Sequence, residues 1–208
     1  ASFYVAGLLV ARLGKAEVPL PGGCALGSRP VDFHLKGFQA LGAKVSIEHG
    51  FVKAEANELV GAKIYINRSS VGTTINLMLA ASRAKGTTVL ENAAKEPEIV
   101  DLAIYLSSMG ARIRGAGTDV IRIDGVDKLR GTDYVIISDR IEAGTYMVAC
   151  GITGGELVLT NVVPEHLRSS IMKCEEAGLE IEEDINSIRI RAQGRPTAVD
   201  LETAPYPG

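Results

Sequence analysis

Leu41-Gly42-Ala43-Lys44-Val45, Met109-Gly110-Ala111-Arg112-Ile113 and Ala177-Gly178-Leu179-Glu180-Ile181 are one pattern written three times, and this pattern decides the fold. The glycines stand 68 residues apart on both intervals, and Val52, Val120 and Ile188 follow at the same spacing. Upstream of each glycine another Gly opens a strand-like stretch, at residues 14–18, 86–90 and 155–159. Units of about 69 residues thus account for nearly all of the 208-residue chain, so the chain reads as a repeat protein before any single motif is weighed.

Each unit has the same internal order. An apolar pattern of helical period, such as residues 71–84 or 140–152, leads to a short strand and then to a second helix, such as 97–109 or 164–177. That helix stops at the repeated glycine, whose tolerance of positive φ suits a C-terminal cap. Two short alternating strands follow, for example Arg112–Arg114 and Val120–Asp124, joined by Gly115, Gly117 and Asp119. The expected unit is α-β-α-β-β, an α/β design in which helices bury one face against a small sheet. Units this long pack around a pseudo-symmetry axis; the repeat alone suggests one closed three-unit domain.

Composition narrows the class. The 22 Lys and Arg against 25 Asp and Glu give a net charge of −3, and 46% apolar with 23% charged residues is the make-up of a globular protein with a real core. A pI near 5.7 argues against a dedicated nucleic-acid binder, which carries a basic excess. The longest apolar run, residues 3–11, ends at Arg12, well short of the roughly 18 residues a membrane span needs. No basic leader precedes it, so it does not read as a signal peptide. The chain opens partway along an apolar helical pattern, and a longer parent protein is expected. The cysteines Cys24, Cys150 and Cys174 are odd in number and far apart; this fits a reducing compartment, and the protein is expected to be cytoplasmic.

Four stretches have the residue types for chemistry. Pro21-Gly22-Gly23-Cys24-Ala25-Leu26-Gly27-Ser28-Arg29-Pro30-Val31-Asp32 sets a thiol in a glycine-rich loop near a guanidinium, which favours the thiolate, or else is a turn with an incidental cysteine. Pro30 and Asp32 also suit the first turn of a helix running to Leu41. Arg68-Ser69-Ser70-Val71-Gly72 opens another helix. Serine caps, a small glycine, free amides and Arg68 make an anion site or merely a cap. Glu96 precedes a helix and reads as a dipole partner or a ligand residue, and Ser138-Asp139-Arg140 as a substrate-facing hinge or a solvated turn. Cys150 and Cys174 continue helical apolar stripes and read as core. His34 would pair with Cys24 only if the fold brings them together. No His, Cys and acid cluster has metal-ligand spacing, so no metal site is expected.

At these residues the chain resembles the UDP-N-acetylglucosamine 1-carboxyvinyltransferases. The resemblance lies in residues 20–37, Glu91-Asn92-Ala93-Ala94-Lys95-Glu96-Pro97-Glu98, Asp139-Arg140-Ile141-Glu142-Ala143-Gly144-Thr145 and Thr203-Ala204-Pro205-Tyr206-Pro207-Gly208, and it runs in order through the whole chain. It implies an inside-out α/β barrel of two domains with three similar units each, of which residues 1–138 are two units of one domain and 139–208 the first unit of the other. It implies transfer of the enolpyruvyl group of phosphoenolpyruvate to the 3-hydroxyl of UDP-N-acetylglucosamine with release of phosphate, an early step of peptidoglycan synthesis, with no cofactor and with fosfomycin as an inhibitor. By position, Cys24 resembles the loop cysteine that donates a proton and forms the phosphoenolpyruvate and fosfomycin adducts. Arg29 resembles the arginine that binds phosphoenolpyruvate. Arg29, Pro30, Val31, Asp32 and Phe33 match the uridine-binding segment, and Arg68, Ser69, Ser70, Val71 and Gly72 the one around the diphosphate. Glu96, Asp139 and Arg140 match further site-lining positions.

The sequence also departs from that family. Arg68 stands where a lysine is common, which changes reach and geometry toward phosphate. The chain lacks the family's N-terminal Lys-Asn pair, and Gly208 precedes the segments with the proposed aspartate base and a later arginine. The 208 residues alone are therefore expected to be inactive. The alternatives are a noncatalytic UDP-sugar-binding relative and 5-enolpyruvylshikimate-3-phosphate synthase, whose lysine- and serine-rich phosphate signature is absent here.

Overall fold

The repeated glycines end helices in the same way three times. In the computed structural model, which describes residues 2–22, 27 and 30–207, Gly42, Gly110 and Gly178 have φ of +93°, +106° and +92°. The amide of the following residue reaches back to the helix: Ala43 N–H donates to Phe38 O, Ala111 to Leu106 O and Leu179 to Cys174 O, at 2.9–3.0 Å. The glycine amides bond to Gln39, Ser107 and Glu175 carbonyls. These are Schellman caps, and the apolar pair that closes each cap is buried.

The chain divides into two compact units, Ala1–Tyr134 and Val135–Gly208. In the first, α1 (Val5–Leu13), β1 (Lys15–Pro19), α2 (Asp32–Ala40), β2 (Lys44–Glu48) and β3 (Phe51–Glu55) make one repeat. The next comprises β4 (Lys63–Tyr65), α3 (Val71–Ala81), β5 (Thr87–Glu91), α4 (Pro97–Ser108), β6 (Arg112–Arg114) and β7 (Val120–Asp124). The second unit holds α5 (Arg140–Thr153), β8 (Gly155–Thr160), a 3-10 turn (Pro164–Leu167), α6 (Arg168–Glu176), β9 (Glu180–Glu183) and β10 (Ser187–Ala192). The sheets share one order, β1-β3-β2, β5-β7-β6 and β8-β10-β9, all antiparallel. The expected α-β-α-β-β unit is therefore present three times.

The structure corrects three details. β4 was not legible in the sequence; it adds to the edge of β5 in parallel, Ile64 opposite Leu90. The interval that equates Val120 with Val52 and Ile188 is off by one residue in space. Val52 and Ile188 are buried, at 1% and 0% exposure, but Val120 is 42% exposed, and Ile121 and Ile123 fill the core at 0%. One extra residue in the β6–β7 turn shifts the strand register, and a single step sends every side chain to the opposite face. Pro30 lies outside α2: Leu35 N–H bonds to Val31 O, so Val31 is the N-cap and Asp32 the first helical residue.

In the first unit one apolar cluster runs through both repeats, and α3 is its axis. Thr73, Thr74, Asn76, Leu77, Met78, Ala80 and Ala81 are all buried there, because α1, α2 and α4 all pack on this helix. Glycines permit the approach. A Cβ on Gly7 of α1 would collide with the backbone carbonyl of Asn76, and one on Gly37 of α2 with the Leu77 side chain. The second unit has its own core around Met147, Ile171, Ile188 and Ile190. Among the described residues no helix is long and apolar enough to cross a membrane.

Candidate functional site

The first turn of α3 is the best-built part of the candidate site. Ser70 is its N-cap in extended conformation, φ −147° and ψ 117°, and its Oγ accepts the Thr73 N–H at 3.3 Å. Thr74 N–H takes the Ser70 carbonyl at 2.9 Å. The amides at Val71 and Gly72 therefore have no acceptor within the helix, and they face outward from its positive end. Thr74 also links this turn to the 91–96 segment. Its hydroxyl donates to the Ser70 carbonyl at 2.9 Å and accepts the Ala94 N–H at 3.0 Å. Asn92, at φ +56°, donates to Ile66 O at 2.7 Å. Two stretches far apart in sequence are thus fastened together at one helix end.

Glu96 stands where that segment enters α4. It occupies the N-cap position but its side chain makes no capping bond, and Pro97 fills the first helical place. Among the described residues its Oε2 is buried with no hydrogen-bond partner. A buried acceptor without a partner is costly, so this oxygen is a candidate contact for a water or a ligand group. Glu96 sits at the N-cap, next to the helix's positive end, and Glu98 is the acid of the first turn, so both the dipole-partner and the ligand readings of Glu96 stay open.

Phe33, in the first turn of α2, lines a small cleft with Lys36, Ile64 and Asn67, so the 30–33 segment comes close to the residue before Arg68. Val31 is buried, whereas Pro30 and Asp32 are exposed. Cys24 and Arg29 lie outside the described residues. His34 is buried beneath α3. Its Nδ1 lies 3.0 Å from Asn76 Nδ2, and its ring meets Phe3 edge-on at 5.0 Å between centroids. Burial pushes its pKa down to about 4, against the opposing charge of Asp32. Asn76 is the only amide side chain among the buried residues of α3, and an amide in a helical stripe is the signal that could have found it.

Asp139 and Arg140 belong to the second unit. Asp139 Oδ1 accepts the Ile141 and Glu142 amides at 2.8 and 3.1 Å and caps α5. The Arg140 guanidinium lies 5.1 Å from the Tyr206 ring centroid, a cation–π contact. Cys150 and Cys174 are buried, and burial raises the Cys174 pKa, which makes it a poor nucleophile. Among the described residues no group of three or more His, Cys, Asp or Glu is placed to hold a metal ion.

A model of the family described as EPSP synthase (3-phosphoshikimate 1-carboxyvinyltransferase) matches residues 1–208. The chain belongs to this family. A relative from Halothermothrix orenii named UDP-N-acetylglucosamine 1-carboxyvinyltransferase is 56% identical over 208 residues, all of this chain and 50% of its own length. One from Symbiobacterium thermophilum, UDP-N-acetylglucosamine 1-carboxyvinyltransferase 2, is 59% identical over the same span and 49% of its length. The chain spans about half the length of the curated relatives it matches. Among solved structures, the enolpyruvyl transferase NikO from Streptomyces tendae covers 90% of this chain and 46% of its own, with TM-score 0.75 at 20% identity. An EPSP synthase from Acinetobacter baumannii covers 91% of this chain and 46% of its own, with TM-score 0.62 at 26% identity. The fold is therefore that of the enolpyruvyl transferases.

Proposed function

We propose that the chain is part of a cytoplasmic enzyme that transfers the enolpyruvyl group of phosphoenolpyruvate to the 3-hydroxyl of UDP-N-acetylglucosamine, for peptidoglycan synthesis. Residues 1–138 are two repeats of one domain and 139–208 the first repeat of another. The observation that carries this reading is the match of relatives with that name along every part of the chain, at 54–59% identity, against 25–26% for the solved EPSP synthases. The amides of Val71 and Gly72, which have no acceptor within α3, suit a diphosphate at its positive end together with Arg68 and Ser70. Glu96 supplies an unpartnered carboxylate oxygen for a hydroxyl or amide of the substrate, and Phe33 an apolar face for the base.

In the reaction the sugar 3-hydroxyl gives up its proton to a base as its oxygen bonds to C2 of phosphoenolpyruvate, while the Cys24 thiol gives a proton to the methylene carbon and is left as thiolate, forming a tetrahedral adduct. Phosphate then leaves with the electrons of its C–O bond, and a proton lost from the new methyl group restores the double bond. Arg29 holds the phosphoenolpyruvate anion, and Pro30, Val31 and Asp32 border the nucleotide. Asp139 and Arg140 contribute from the second domain, and fosfomycin alkylates Cys24. The full-length enzyme, given both substrates, should release phosphate and yield the enolpyruvyl sugar nucleotide by mass. Turnover with shikimate 3-phosphate instead would overturn the reading.

A further inference from the structure

The buried pair His34 and Asn76 lies directly beneath the first turn of α3, and its hydrogen bonds leave one arrangement of protons. Asn76 Oδ1 accepts the Gly7 N–H at 2.7 Å, which fixes which end of the amide is oxygen. Asn76 Nδ2 donates to the Phe3 carbonyl at 3.1 Å, and its other hydrogen faces His34 Nδ1 at 3.0 Å. Nδ1 must therefore accept, and the ring proton sits on Nε2. The ring edge also touches the site: His34 Cε1, bonded to both nitrogens, lies 3.5 Å from the place a Cβ on Gly72 would take. We propose that Asn76 is a positioning residue for nucleotide binding: it holds His34 in its neutral Nε2–H tautomer against Gly72, so the first turn of α3 presents a fixed polar surface whose charge does not change with pH. The inference rests on the reading of this turn as a UDP-sugar site.

The surroundings of His34 agree with this role. Among the described residues, α2 contributes the Asp32 charge, and the N-terminal turn brings Tyr4, whose hydroxyl is 3.5 Å from the same Gly72 position. α3 contributes no ionisable side chain. Burial outweighs Asp32 and keeps the imidazole uncharged down to about pH 4. Without Asn76 no donor holds Nδ1 as an acceptor, so Nδ1 binds a proton more readily, while burial, the larger cause, still keeps the pKa below its ordinary value.

The test uses the full-length enzyme. Histidine 15N NMR, with the His34 signal assigned by His34→Gln, should show the Nε2–H tautomer from about pH 5.5 to 8. Calorimetric Kd for UDP-N-acetylglucosamine, whose diphosphate keeps its charge over this range, should stay flat within about twofold. Asn76→Ala should weaken binding about fivefold at pH 8, the scale of one hydrogen bond. Part of that loss should be regained toward pH 5.5, as a larger fraction of His34 than in the unaltered enzyme becomes a cation beside the diphosphate. An Nδ1–H tautomer in the unaltered enzyme would overturn the inference, whether or not the Asn76 variant folds. So would an Asn76→Ala loss of equal size at every pH, the mark of a merely structural role. Failure of the unaltered enzyme to bind the sugar nucleotide would instead overturn the site reading, and this role with it.

Discussion

Replacing Gly7 by alanine should destabilise the first unit, although glycine-to-alanine changes inside helices ordinarily stabilise. Helix propensity favours alanine by about 1 kcal/mol. Against this, the new Cβ would run into the Asn76 backbone carbonyl and lie 2.7 Å from its Oδ1. A backbone oxygen cannot turn aside, so α1 must move off α3 at an overpacking cost of about 3 kcal/mol. The Gly7 to Asn76 hydrogen bond of 2.7 Å is lost with it, for about 1 kcal/mol more. The net expectation is about 3 kcal/mol of destabilisation by these terms. Gly144 of α5 is the control. Its Cβ would meet Leu167 at 3.6 Å and Ser170 at 3.8 Å, ordinary contact distances, so Gly144→Ala should stabilise the second unit by about 0.5–1 kcal/mol. Urea titration followed by peptide-resolved hydrogen exchange reads each unit separately. A Gly7→Ala protein that is as stable as the parent, or effects of the same sign at both sites, would refute the packing argument.

Other consequences are smaller and as direct. Ser70→Ala removes the α3 cap and should cost about 1 kcal/mol in urea titration and weaken UDP-N-acetylglucosamine binding severalfold by calorimetry. Gly110→Ala has open space around it but a φ of +106°, so a cost of about 1–2 kcal/mol from backbone strain alone is expected in the same titration. The Tyr134 hydroxyl donates to Asp101 Oδ1 at 2.7 Å, and this hydrogen bond, ahead of burial, raises its pKa from 10.0 to about 12. Folding thus favours the protonated phenol. Its contribution is whole below pH 10 and is lost as pH climbs toward about 12. Ultraviolet titration of tyrosinate should show one late phenol that Tyr134→Phe removes.

What the sequence made legible follows the physics of short range. Gly42, Gly110 and Gly178 are visible because a helix end in left-handed conformation needs glycine at a fixed place. The strands Arg112–Arg114 and Val120–Asp124 are visible because turn residues bracket an alternating run. Ser70 is visible as a cap for the same local reason. Long-range facts are not. β4 has only Ile64 buried in a three-residue strand, too short to show a period, and it forms because β5 offers an edge. The slip that turns Val120 outward depends on how the β6–β7 turn is spent, which spacing from Gly110 does not reveal. Gly7, Gly37 and Asn76 look like ordinary helix residues until α1, α2 and α3 meet. The empty acceptor of Glu96 is likewise a fact of packing: from the sequence it is one more acid before a helix.

The central claim, that this chain carries the reacting thiol of an enolpyruvyl transferase beside a sugar-nucleotide site, is tested most directly by mass spectrometry of the full-length protein after fosfomycin treatment. With UDP-N-acetylglucosamine present, an adduct should map to Cys24 and leave Cys150 and Cys174 unmodified, both of them buried. Labelling that ignores the nucleotide, falls on another cysteine, or does not occur would contradict the account.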